Sequence, residues 1–519
     1  MMRVAVRVDA SARLGVGHVM RCLALASELK RRCHQVVFVM RLLDGHMAEQ
    51  TRKAGFEVLT LADFDFNKAK SQAAWLELAN QPAVQLQDAK DTLALLAHQT
   101  WDWLVVDHYA LGLTWQQAML GCAKKLLVID DRADRVLQCD VLLNQNPGAQ
   151  RSHYEGLMPL GSLILLGSQY ALLRPEFFNV VNAAPMLSRT PSTPCVLVSL
   201  GGGDVHGLLL TVLSALEYCK LLGAGVTVVT GAGTQTPQTQ ALEQRCRALG
   251  YTRFESTDAM AHLMMQAQFA IGAGGVSLLE RCVMGLPSVT LVTAPNQSRG
   301  VTAAQEQGAV LALDPHAAGF ELELRLAIKS LLFSPERRAA MSKAALSVCD
   351  GLGTLRVADI MQKQSLTLRI ATLEDAAALH VWRNAASTRK YSGDGRIIAF
   401  EQHQKWMLQV LANPAQRLWI AHTVAGDVGV LRFDCSAADA ATVAKISVYL
   451  VPDRPGRGWG RALIACGVQE AQRIWPTLVR VDAHISDENL ASLKAFAACG
   501  FIKSAAPGTY QKNLERASS

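Results

Sequence analysis

The chain has 519 residues, of which 50% are hydrophobic and 18% are charged, and its formal net charge at pH 7 is +7. This length exceeds a single hydrophobic core and predicts about three compact units, and no apolar run approaches the roughly 18 residues of a membrane span. The positive charge is not gathered into basic runs, so it favours small anionic substrates over nucleic acid or a membrane. The 12 cysteines form no metal-type cluster and the first residues enter a strand without a signal peptide, which predicts reduced thiols, no metal site and a cytoplasmic protein.

Three successive patterns divide the chain. Residues 1–180 alternate apolar strands with longer helical stretches, which predicts a Rossmann-like domain built on a parallel sheet. A linker rich in proline and small polar residues at 183–194 interrupts this pattern, and a second Rossmann-like domain is predicted over 181–362. Two such domains facing each other across a nucleotide-binding cleft suggest a GT-B architecture. The pattern over 366–515 predicts a third domain of the α+β class with a mixed sheet.

A glycine turn, Gly15-Val16-Gly17-His18, follows the first strand and opens a helix that is predicted to continue to Lys30. Glycines allow backbone conformations closed to other residues, and the free amide groups at a helix start attract anions. His18 is expected in the first helical turn, facing the cleft, where the helix dipole disfavours the imidazolium. We therefore interpret His18 as a general base, against the alternative that it packs or caps the helix.

A second glycine loop, which contains Gly274 and Gly275, joins a predicted strand to a predicted helix that begins at Val276. Its amide groups are suited to bind the diphosphate of UDP, and Ser277 can donate a further hydrogen bond. Glu280, one turn into the helix, can accept hydrogen bonds from ribose hydroxyls. The alternative is a tight strand-to-helix turn with a solvated glutamate.

Short motifs spread over about the first 360 residues carry a family resemblance. They are Arg7-x-Asp9-x-Ser11-x-x-x-Gly15-x-Gly17-His18-x-Met20-Arg21-Cys22, Val105-Val106-Asp107-His108-Tyr109, Ile129-Asp130-Asp131, Leu142-Leu143-Asn144-Gln145-Asn146-Pro147, Ser199-Leu200-Gly201-Gly202, Gly274-Gly275-x-Ser277-x-x-Glu280 and Asn296-Gln297. Together they resemble the PseG-type nucleotide-sugar hydrolases of pseudaminic acid biosynthesis. The resemblance implies a GT-B fold similar to that of MurG glycosyltransferases, but with transfer of the sugar to water.

Further substrate contacts are predicted on both domains. Tyr109 follows the end of a strand at the expected cleft edge, which favours a sugar contact, and Arg21 belongs to the first motif. Asn296 and Gln297 are expected to hold sugar or phosphate oxygens, and the resemblance places Asn296 in the active site. Helix dipoles and backbone donors can meet the diphosphate charge, so no metal is predicted.

The last domain contains a strand that runs into a basic, glycine-rich turn and then a helix from Trp459. Amides and arginines in such a turn can cradle a pyrophosphate. The turn resembles the acetyl-CoA loop of GNAT acetyltransferases, and the later segment Asn489-x-x-Ser492-x-x-x-Phe496 matches the same superfamily. The acetyl-CoA contacts implied are Leu450, Arg457, Gly458, Gly460, Arg461 and Asn489.

Two positions depart from the GNAT pattern. Pro455 occupies the usual first position of the loop motif, and Phe496 stands where many relatives carry a tyrosine that protonates the departing thiolate. Tyr449 and Ser447, on the strand before the loop, are the candidates for a role in acetyl transfer, with Tyr510 as a further alternative.

The opening of this domain resembles the PseH-type branch of the superfamily. The residues that carry this resemblance are Trp382-Arg383-Asn384 and Phe400-x-x-His403-x-x-Trp406. PseH-type enzymes acetylate the 4-amino group of a UDP-amino sugar one step before the hydrolase acts. The tryptophans Trp382, Trp406 and Trp419 are interpreted as lining the sugar-nucleotide pocket.

The two resemblances together imply a bifunctional enzyme that uses a UDP-amino sugar and acetyl-CoA. Acetylation would make UDP-2,4-diacetamido-2,4,6-trideoxy-β-L-altropyranose, and the two N-terminal domains would hydrolyse it to UDP and the free sugar. The alternatives are a GT-B glycosyltransferase fused to an acetyltransferase, the equivalent pair acting on a legionaminic-type diamino sugar, and a non-catalytic nucleotide-sugar sensor.

Overall fold

The computed structural model describes residues 1–11, 14–62, 77–177, 195–201, 206–221, 223–230, 237–255, 257–364, 366–392, 395–423, 426–438, 441–452 and 459–514. The chain divides into two compact units, Met2–Ala358 and Asp359–Ser519. The first unit contains two parallel sheets and the second contains a mixed sheet. This arrangement confirms the predicted fold class of two Rossmann-like domains followed by an α+β domain. The predicted linker at 183–194 lies outside the described residues, so the boundary between the first two domains stays a prediction.

Seven strands form the first sheet: β1 Arg3–Val8, β2 Gln35–Arg41, β3 Glu57–Leu61, β4 Trp101–Asp107, β5 Ala123–Ile129, β6 Val141–Asn144 and β7 Leu163–Leu166. Their order is β3-β2-β1-β4-β5-β6-β7, and all neighbouring pairs are parallel. The accompanying helices are α1 Gly17–Arg31, α2 Ala48–Lys53, α3 Pro82–Leu96 and α4 Leu113–Ala118. Chain order reverses between β1 and β4, and ligands of open α/β sheets bind at such switch points.

Six strands form the second sheet: β8 Val196–Ser199, β9 Val226–Val229, β10 Thr252–Phe254, β11 Phe269–Ala273, β12 Ser288–Leu291 and β13 Val310–Leu313. Their order is β10-β9-β8-β11-β12-β13, again with parallel pairs throughout. The helices of this part are α5 His206–Tyr218, α6 Pro237–Leu249, α7 Met260–Gln266, α8 Val276–Val283, α9 Ser298–Glu306, α10 Phe320–Phe333, α11 Pro335–Val348 and α12 Gly353–Gln364. The switch point here lies between β8 and β11.

A short segment joins the cores of the two parallel sheets. Ala171, Leu173 and Phe177 follow β7 in sequence, yet they are buried in the core of the second sheet. The Thr354 hydroxyl, at the start of α12, donates a buried hydrogen bond of 2.9 Å to the Leu173 carbonyl. A Cβ at Gly353 would lie 2.2 Å from the Ala171 backbone, so only glycine allows this close approach. The two sheets are thus held in one unit by side-chain burial and by a backbone contact.

Seven strands form the third sheet: β14 Thr367–Ile370, β15 Gln416–Thr423, β16 Gly426–Ala438, β17 Ala441–Leu450, β18 Leu478–His484, β19 Ile502–Lys503 and β20 Thr509–Asn513. Their order is β14-β15-β16-β17-β18-β20-β19, and only the β17–β18 pair is parallel among the described strands. The helices are α13 Ala376–Asn384, α14 Ala386–Arg389, α15 Phe400–Ala412, α16 Trp459–Ile474 and α17 Leu490–Ala497. Two separate apolar cores form, one with residues of α13 and α15 and the other with residues of α16 and α17.

Candidate active sites

In the first glycine turn, Gly15 adopts a left-handed backbone conformation and Gly17 does not. Gly15 has a φ of 77°, a conformation that L side chains rarely adopt, and its amide donates to the Ser11 carbonyl at 2.9 Å. Gly17 is the first residue of α1 and is not among the residues with positive φ, so it does not use the conformational freedom that glycine allows. The N-cap residue Val16 makes no side-chain capping bond, which leaves the helix start uncapped by a side chain.

His18 is buried at the start of α1 and is held by a carboxylate. Its Nδ1 lies 2.6 Å from Oδ1 of Asp107, the last residue of β4. A contact this short to a carboxylate assigns the proton to Nδ1, so Nε2 is left as the acceptor nitrogen. The described residues offer Nε2 no hydrogen-bond partner. The pair therefore has the geometry of a general base with its orienting carboxylate.

Arg21, one turn after His18, clamps the same carboxylate. Its Nε donates to Oδ2 of Asp107 and its Nη2 donates to Oδ1, each at 2.6 Å. Burial opposes ionisation of Asp107, but the charge and hydrogen bonds of Arg21 and His18 outweigh it and hold the pKa of this carboxyl well below its usual range. Asp107 is therefore ionised, and its Oδ1 accepts the hydrogen bond from Nδ1 of His18. Arg21 was predicted as a substrate contact, whereas its described contacts are to Asp107, His18 and Asp131.

Tyr109 links this dyad to the second domain. Its ring meets the His18 ring edge-to-face, with centroids 4.4 Å apart and planes at 85°. The Tyr109 hydroxyl donates to Oδ2 of Asp131 at 3.3 Å and accepts from Nδ2 of Asn296 at 2.8 Å. The sequence analysis named His18, Tyr109 and Asn296 as site residues, and the structure brings these three side chains together. The sequence analysis assigned no role to Asp107 or Asp131. Asp107 ends β4 and Asp131 closely follows the end of β5, so their position at strand ends was the signal that could have indicated them.

A second buried network fixes the loop between Asp107 and Tyr109. The His108 Nδ1 accepts from the Ala110 amide at 3.1 Å, so the ring donates from Nε2 to Asp9, where the separation is 3.2 Å. Asp9 also accepts from Arg7 at 2.6 Å. Burial lowers the pKa of His108 and keeps it neutral. Arg7, Asp9 and His108 also line a small cavity.

The second glycine loop also matches its prediction in backbone geometry. Gly275 has a φ of 74° and is the N-cap of α8, which makes no side-chain capping bond. A Cβ at Gly274 would lie 2.9 Å from side-chain atoms of Gln297 and Val301. The uncapped start of α8 therefore presents backbone donors where the prediction expects a diphosphate.

The side chains around this loop have structural partners. Ser277 donates to the carbonyls of Ala273 and Gly274 at 3.4 and 3.3 Å. The Gln297 Oε1 accepts from the amide and hydroxyl of Thr293, each at 3.1 Å, so this amide stabilises the neighbouring turn. To bind a ligand as predicted, Ser277 and Gln297 would have to exchange these hydrogen bonds for bonds to the ligand.

Two charged groups lie close to the same loop. Glu280 accepts a hydrogen bond of 3.4 Å from Arg174, and burial raises the pKa of its carboxyl. Arg281, which no motif indicated, is 2% exposed and donates to the Ala273 carbonyl at 2.7 Å. Burial lowers the pKa of Arg281 to about 10. Its guanidinium explains Gly272, where a Cβ would lie 2.3 Å from Nη1.

In the third sheet, β17 and β18 separate toward the expected acetyl-CoA site. Their parallel pairing ends at Ile446, whereas β17 continues to pair with β16 as far as Leu450. Within the described part of the chain, no strand pairs with Ser447 to Leu450 on the β18 side. Unpaired strand backbone offers hydrogen bonds to an extended ligand. Leu450, predicted as a contact, lies at this opening.

The two candidates for acetyl transfer lie on the opposite face of β17 from Leu450. Tyr449 packs with Trp382 and Trp406 against the core of α13 and α15, and burial raises the pKa of its phenol. Arg432, which pairs across the strands with Ser447, holds its guanidinium 5.7 Å from the Trp406 ring centre. Aromatic and basic side chains thus converge around Tyr449.

Three other predicted residues have structural roles. Trp419 is 2% exposed and packs against Phe433 in the core of α16 and α17, so its proposed pocket role is wrong. Asn489 caps α17, because its side-chain oxygen accepts from the Ser492 amide at 3.1 Å. Phe496 packs edge-to-face on Phe501 in the same core as Trp419.

The acetyl-CoA turn itself is covered only in part. Arg457, Gly458 and Pro455 lie outside the described residues. Gly460, in the first turn of α16, faces α17, since a Cβ there would lie 3.6 Å from that of Ala495. The Arg461 carbonyl accepts a weak hydrogen bond from Cys499 at 3.5 Å.

The described residues contain neither a metal-binding cluster nor a membrane-spanning helix. No group of three or more His, Cys, Asp or Glu residues there could hold a metal ion. No helix in the same residues is long and apolar enough to cross a membrane.

Comparison with known proteins divides the chain in the same way as the structure. Residues 365–502 match the model of the Acetyltransferase (GNAT) domain family. The N-terminal region is distantly similar to UDP-2,4-diacetamido-2,4,6-trideoxy-beta-L-altropyranose hydrolase of Campylobacter jejuni, with 27% identity over 222 residues, which are 43% of this chain and 68% of that protein. The spore coat polysaccharide biosynthesis protein SpsG of Bacillus subtilis is 25% identical over 368 residues, which are 70% of this chain and 98% of that protein.

Two solved structures resemble separate parts of the fold. MurG of Acinetobacter baumannii covers 70% of this chain and 100% of its own, with 15% identity and a TM-score of 0.47. The aminoglycoside acetyltransferase AAC(6')-Ib in complex with coenzyme A covers 29% of this chain and 95% of its own, with 22% identity and a TM-score of 0.26.

Proposed function

We propose that the chain is a bifunctional nucleotide-sugar enzyme. Its C-terminal domain would acetylate the 4-amino group of a UDP-amino sugar with acetyl-CoA. Its two N-terminal domains would hydrolyse UDP-2,4-diacetamido-2,4,6-trideoxy-β-L-altropyranose to UDP and the free sugar. The distant similarity to a hydrolase of this substrate and the GNAT family match support the two halves of the proposal.

The observation that carries the hydrolase proposal is the short contact between His18 and Asp107. With Nδ1 donating to Asp107, Nε2 can take a proton from water as its oxygen attacks the anomeric carbon. The bond from that carbon to the UDP oxygen breaks, and UDP leaves with its charge met by the amides at the start of α8. Direct displacement inverts the anomeric centre. General-base assistance of this kind contributes about 10² to 10⁴ in rate.

The acetyltransferase proposal rests on the separation of β17 from β18. The gap offers strand backbone to the pantetheine arm of acetyl-CoA, while Tyr449 and the tryptophans Trp382 and Trp406 lie on the acceptor side. The neutral substrate amine attacks the thioester carbon and the carbon–sulfur bond breaks. The nitrogen releases one proton to solvent, and the departing thiolate takes one proton from solvent. Burial raises the pKa of Tyr449, so its phenol stays protonated and can donate a hydrogen bond to the thiolate as it forms.

The test is a phosphorus and proton NMR time course with the UDP-4-amino sugar, run with and without acetyl-CoA. We expect acetylation only with acetyl-CoA, followed by UDP and free diacetamido sugar. His18→Ala should abolish the second step, with a loss of about 10² to 10⁴ in kcat and little change in UDP affinity. The exposed His98 provides a matched control, because His98→Ala removes a histidine of the same unit away from the cleft.

Each half of the proposal can fail separately. Acetylation without UDP release would refute the hydrolase and indicate a glycosyltransferase that lacks its acceptor. UDP release without acetyl-CoA consumption would refute the acetyltransferase. Turnover of a legionaminic-type substrate in preference to the altropyranose derivative would correct the sugar while leaving the reaction class in place.

A further inference from the structure

The ring of Tyr109 occupies the space beside the proposed general base. The His18 and Tyr109 ring centroids lie 4.4 Å apart in an edge-to-face contact. Nδ1 of the imidazole already has two partners, Asp107 at 2.6 Å and Arg21 at 3.1 Å. A nucleophile that His18 activates must approach within about 3 Å of Nε2, so it enters a space bordered by the tyrosine ring.

Three contacts prevent this ring from moving aside. The hydroxyl donates to Asp131 at 3.3 Å and accepts from Asn296 at 2.8 Å. The Arg132 guanidinium lies 5.7 Å from the ring centre. The ring is therefore anchored from both domains of the cleft, since Asp131 and Asn296 follow strands of different sheets.

We propose that Tyr109 is the residue that restricts the nucleophile to water. Water carries no substituent and fits beside the anchored ring, whereas an alcohol or a sugar hydroxyl brings a carbon skeleton that needs the space of the ring. This inference rests on the proposed hydrolase function and adds the reason why no acceptor sugar competes. Tyr109 then decides between hydrolysis and glycosyl transfer on one GT-B scaffold.

The chemistry of the diverted reaction balances without a further reagent. In a variant with a smaller side chain at this position, an alcohol oxygen attacks the anomeric carbon in place of water. Its proton passes to Nε2 of His18, the bond to the UDP oxygen breaks, and the products are UDP and an alkyl glycoside. Nothing is oxidised or reduced.

The experiment measures the ratio of glycoside to free sugar. The enzyme is incubated with UDP-2,4-diacetamido-2,4,6-trideoxy-β-L-altropyranose in buffered glycerol. The products are identified by mass spectrometry and quantified by proton NMR. We expect Tyr109→Ala and Tyr109→Leu to raise the ratio of glyceryl glycoside to free sugar at least tenfold over the unmodified protein. Tyr109→Phe keeps the ring but loses the two hydroxyl bonds that anchor it, so its ratio should lie between that of the unmodified protein and that of Tyr109→Ala.

The control variant is Tyr218→Ala, which removes a 58% exposed tyrosine from the second domain. It should leave the product ratio unchanged. An unchanged ratio in Tyr109→Ala and Tyr109→Leu, with UDP still released, overturns the proposal. Because Tyr109 is also a predicted sugar contact, the rate of UDP release should fall in both variants, and the product ratio is therefore the readout. Complete loss of both products in both folded variants also overturns the proposal, because a residue that only restricts the nucleophile is not essential for attack by water. Absence of UDP release from the unmodified protein would instead refute the proposed hydrolase.

Discussion

Replacement of Asp107 by asparagine tests the reasoning about the proposed base most directly. The carboxylate accepts from Nδ1 of His18 at 2.6 Å and from two nitrogens of Arg21 at the same distance. An asparagine has nearly the same shape but can present an NH₂ group to Nδ1. The imidazole would then keep its proton on Nε2, where it cannot accept one from water.

The expected magnitude follows from these contacts. Loss of the correct tautomer and of general-base assistance corresponds to a fall of about 10² to 10⁴ in kcat, or roughly 3 to 5 kcal/mol at 1.36 kcal/mol per factor of ten. Arg21 would lose its main anionic partner but keep Asp131 at 3.3 Å. Since breaking a buried ion pair costs about 3 to 5 kcal/mol, we expect stability to fall by the lower figure, about 3 kcal/mol.

The assay is UDP release at saturating substrate, with thermal unfolding followed by circular dichroism on the same samples. Asp102→Asn is the matched control, because Asp102 lies on the same strand and its hydrogen bonds in the described structure are to Arg3 and Lys124. It should retain kcat within about twofold. A folded Asp107→Asn variant with kcat within threefold of the unmodified protein would refute the assignment of His18 and Asp107 as a base and its orienting group.

Three further predictions address the second loop, the third domain and acid stability. Gly274→Ala places a Cβ 2.9 Å from neighbouring side chains, so KM for the UDP-sugar should rise at least fivefold while Gly207→Ala, with open space around it, changes KM less than twofold. Trp419→Ala should destabilise the acetyltransferase domain by about 3 to 5 kcal/mol in denaturant unfolding, whereas Trp406→Ala should chiefly raise the acceptor KM; the reverse pattern would contradict the assignment of the two faces. Burial and the nearby N-terminal amine lower the pKa of His34 to about 4, so the unfolded chain binds the extra proton as pH falls from about 6.5. Stability should therefore be complete above pH 6.5 and fall by about 2 kcal/mol at pH 5, a loss that His34→Asn should remove when melting is compared at pH 7.5 and 5.

The sequence predicts the fold class well because its strands are long apolar runs buried on both faces. The apolar run at 226–230 predicts a strand, which is observed as Val226–Val229, and the run at 443–450 predicts another, which is observed as Ala441–Leu450. The three-residue β10 was not predicted, because it contains one apolar residue, Phe254. The strand β13 was not predicted although its four residues are apolar, because so short an apolar run does not distinguish a strand from part of a buried helix.

The candidate site was predicted less completely, and the reason differs between its parts. Glycine turns at strand ends are local signals, so the positions of Gly15 and Gly275 could be read from spacing. The partner of His18 lies 89 positions away, and only the order of strands β1 and β4 brings the two together. Trp419 illustrates the converse limit, because the face of a strand that a tryptophan occupies depends on register rather than on residue type.

Three consecutive residues at the end of β4 contact three different parts of the unit. Asp107 binds His18 and Arg21 of α1, His108 binds Asp9 at the end of β1, and Tyr109 binds Asn296 of the second domain. Because neighbouring side chains of an extended chain point in opposite directions, one short segment can serve the base, the core and the far side of the cleft. A shift of its backbone would therefore disturb the orientation of His18 and the closure by Tyr109 together. We infer that the buried ion-pair network around His108 is retained despite its cost because it fixes the backbone between Asp107 and Tyr109. It thereby holds Asp107 against His18 and Tyr109 against Asn296.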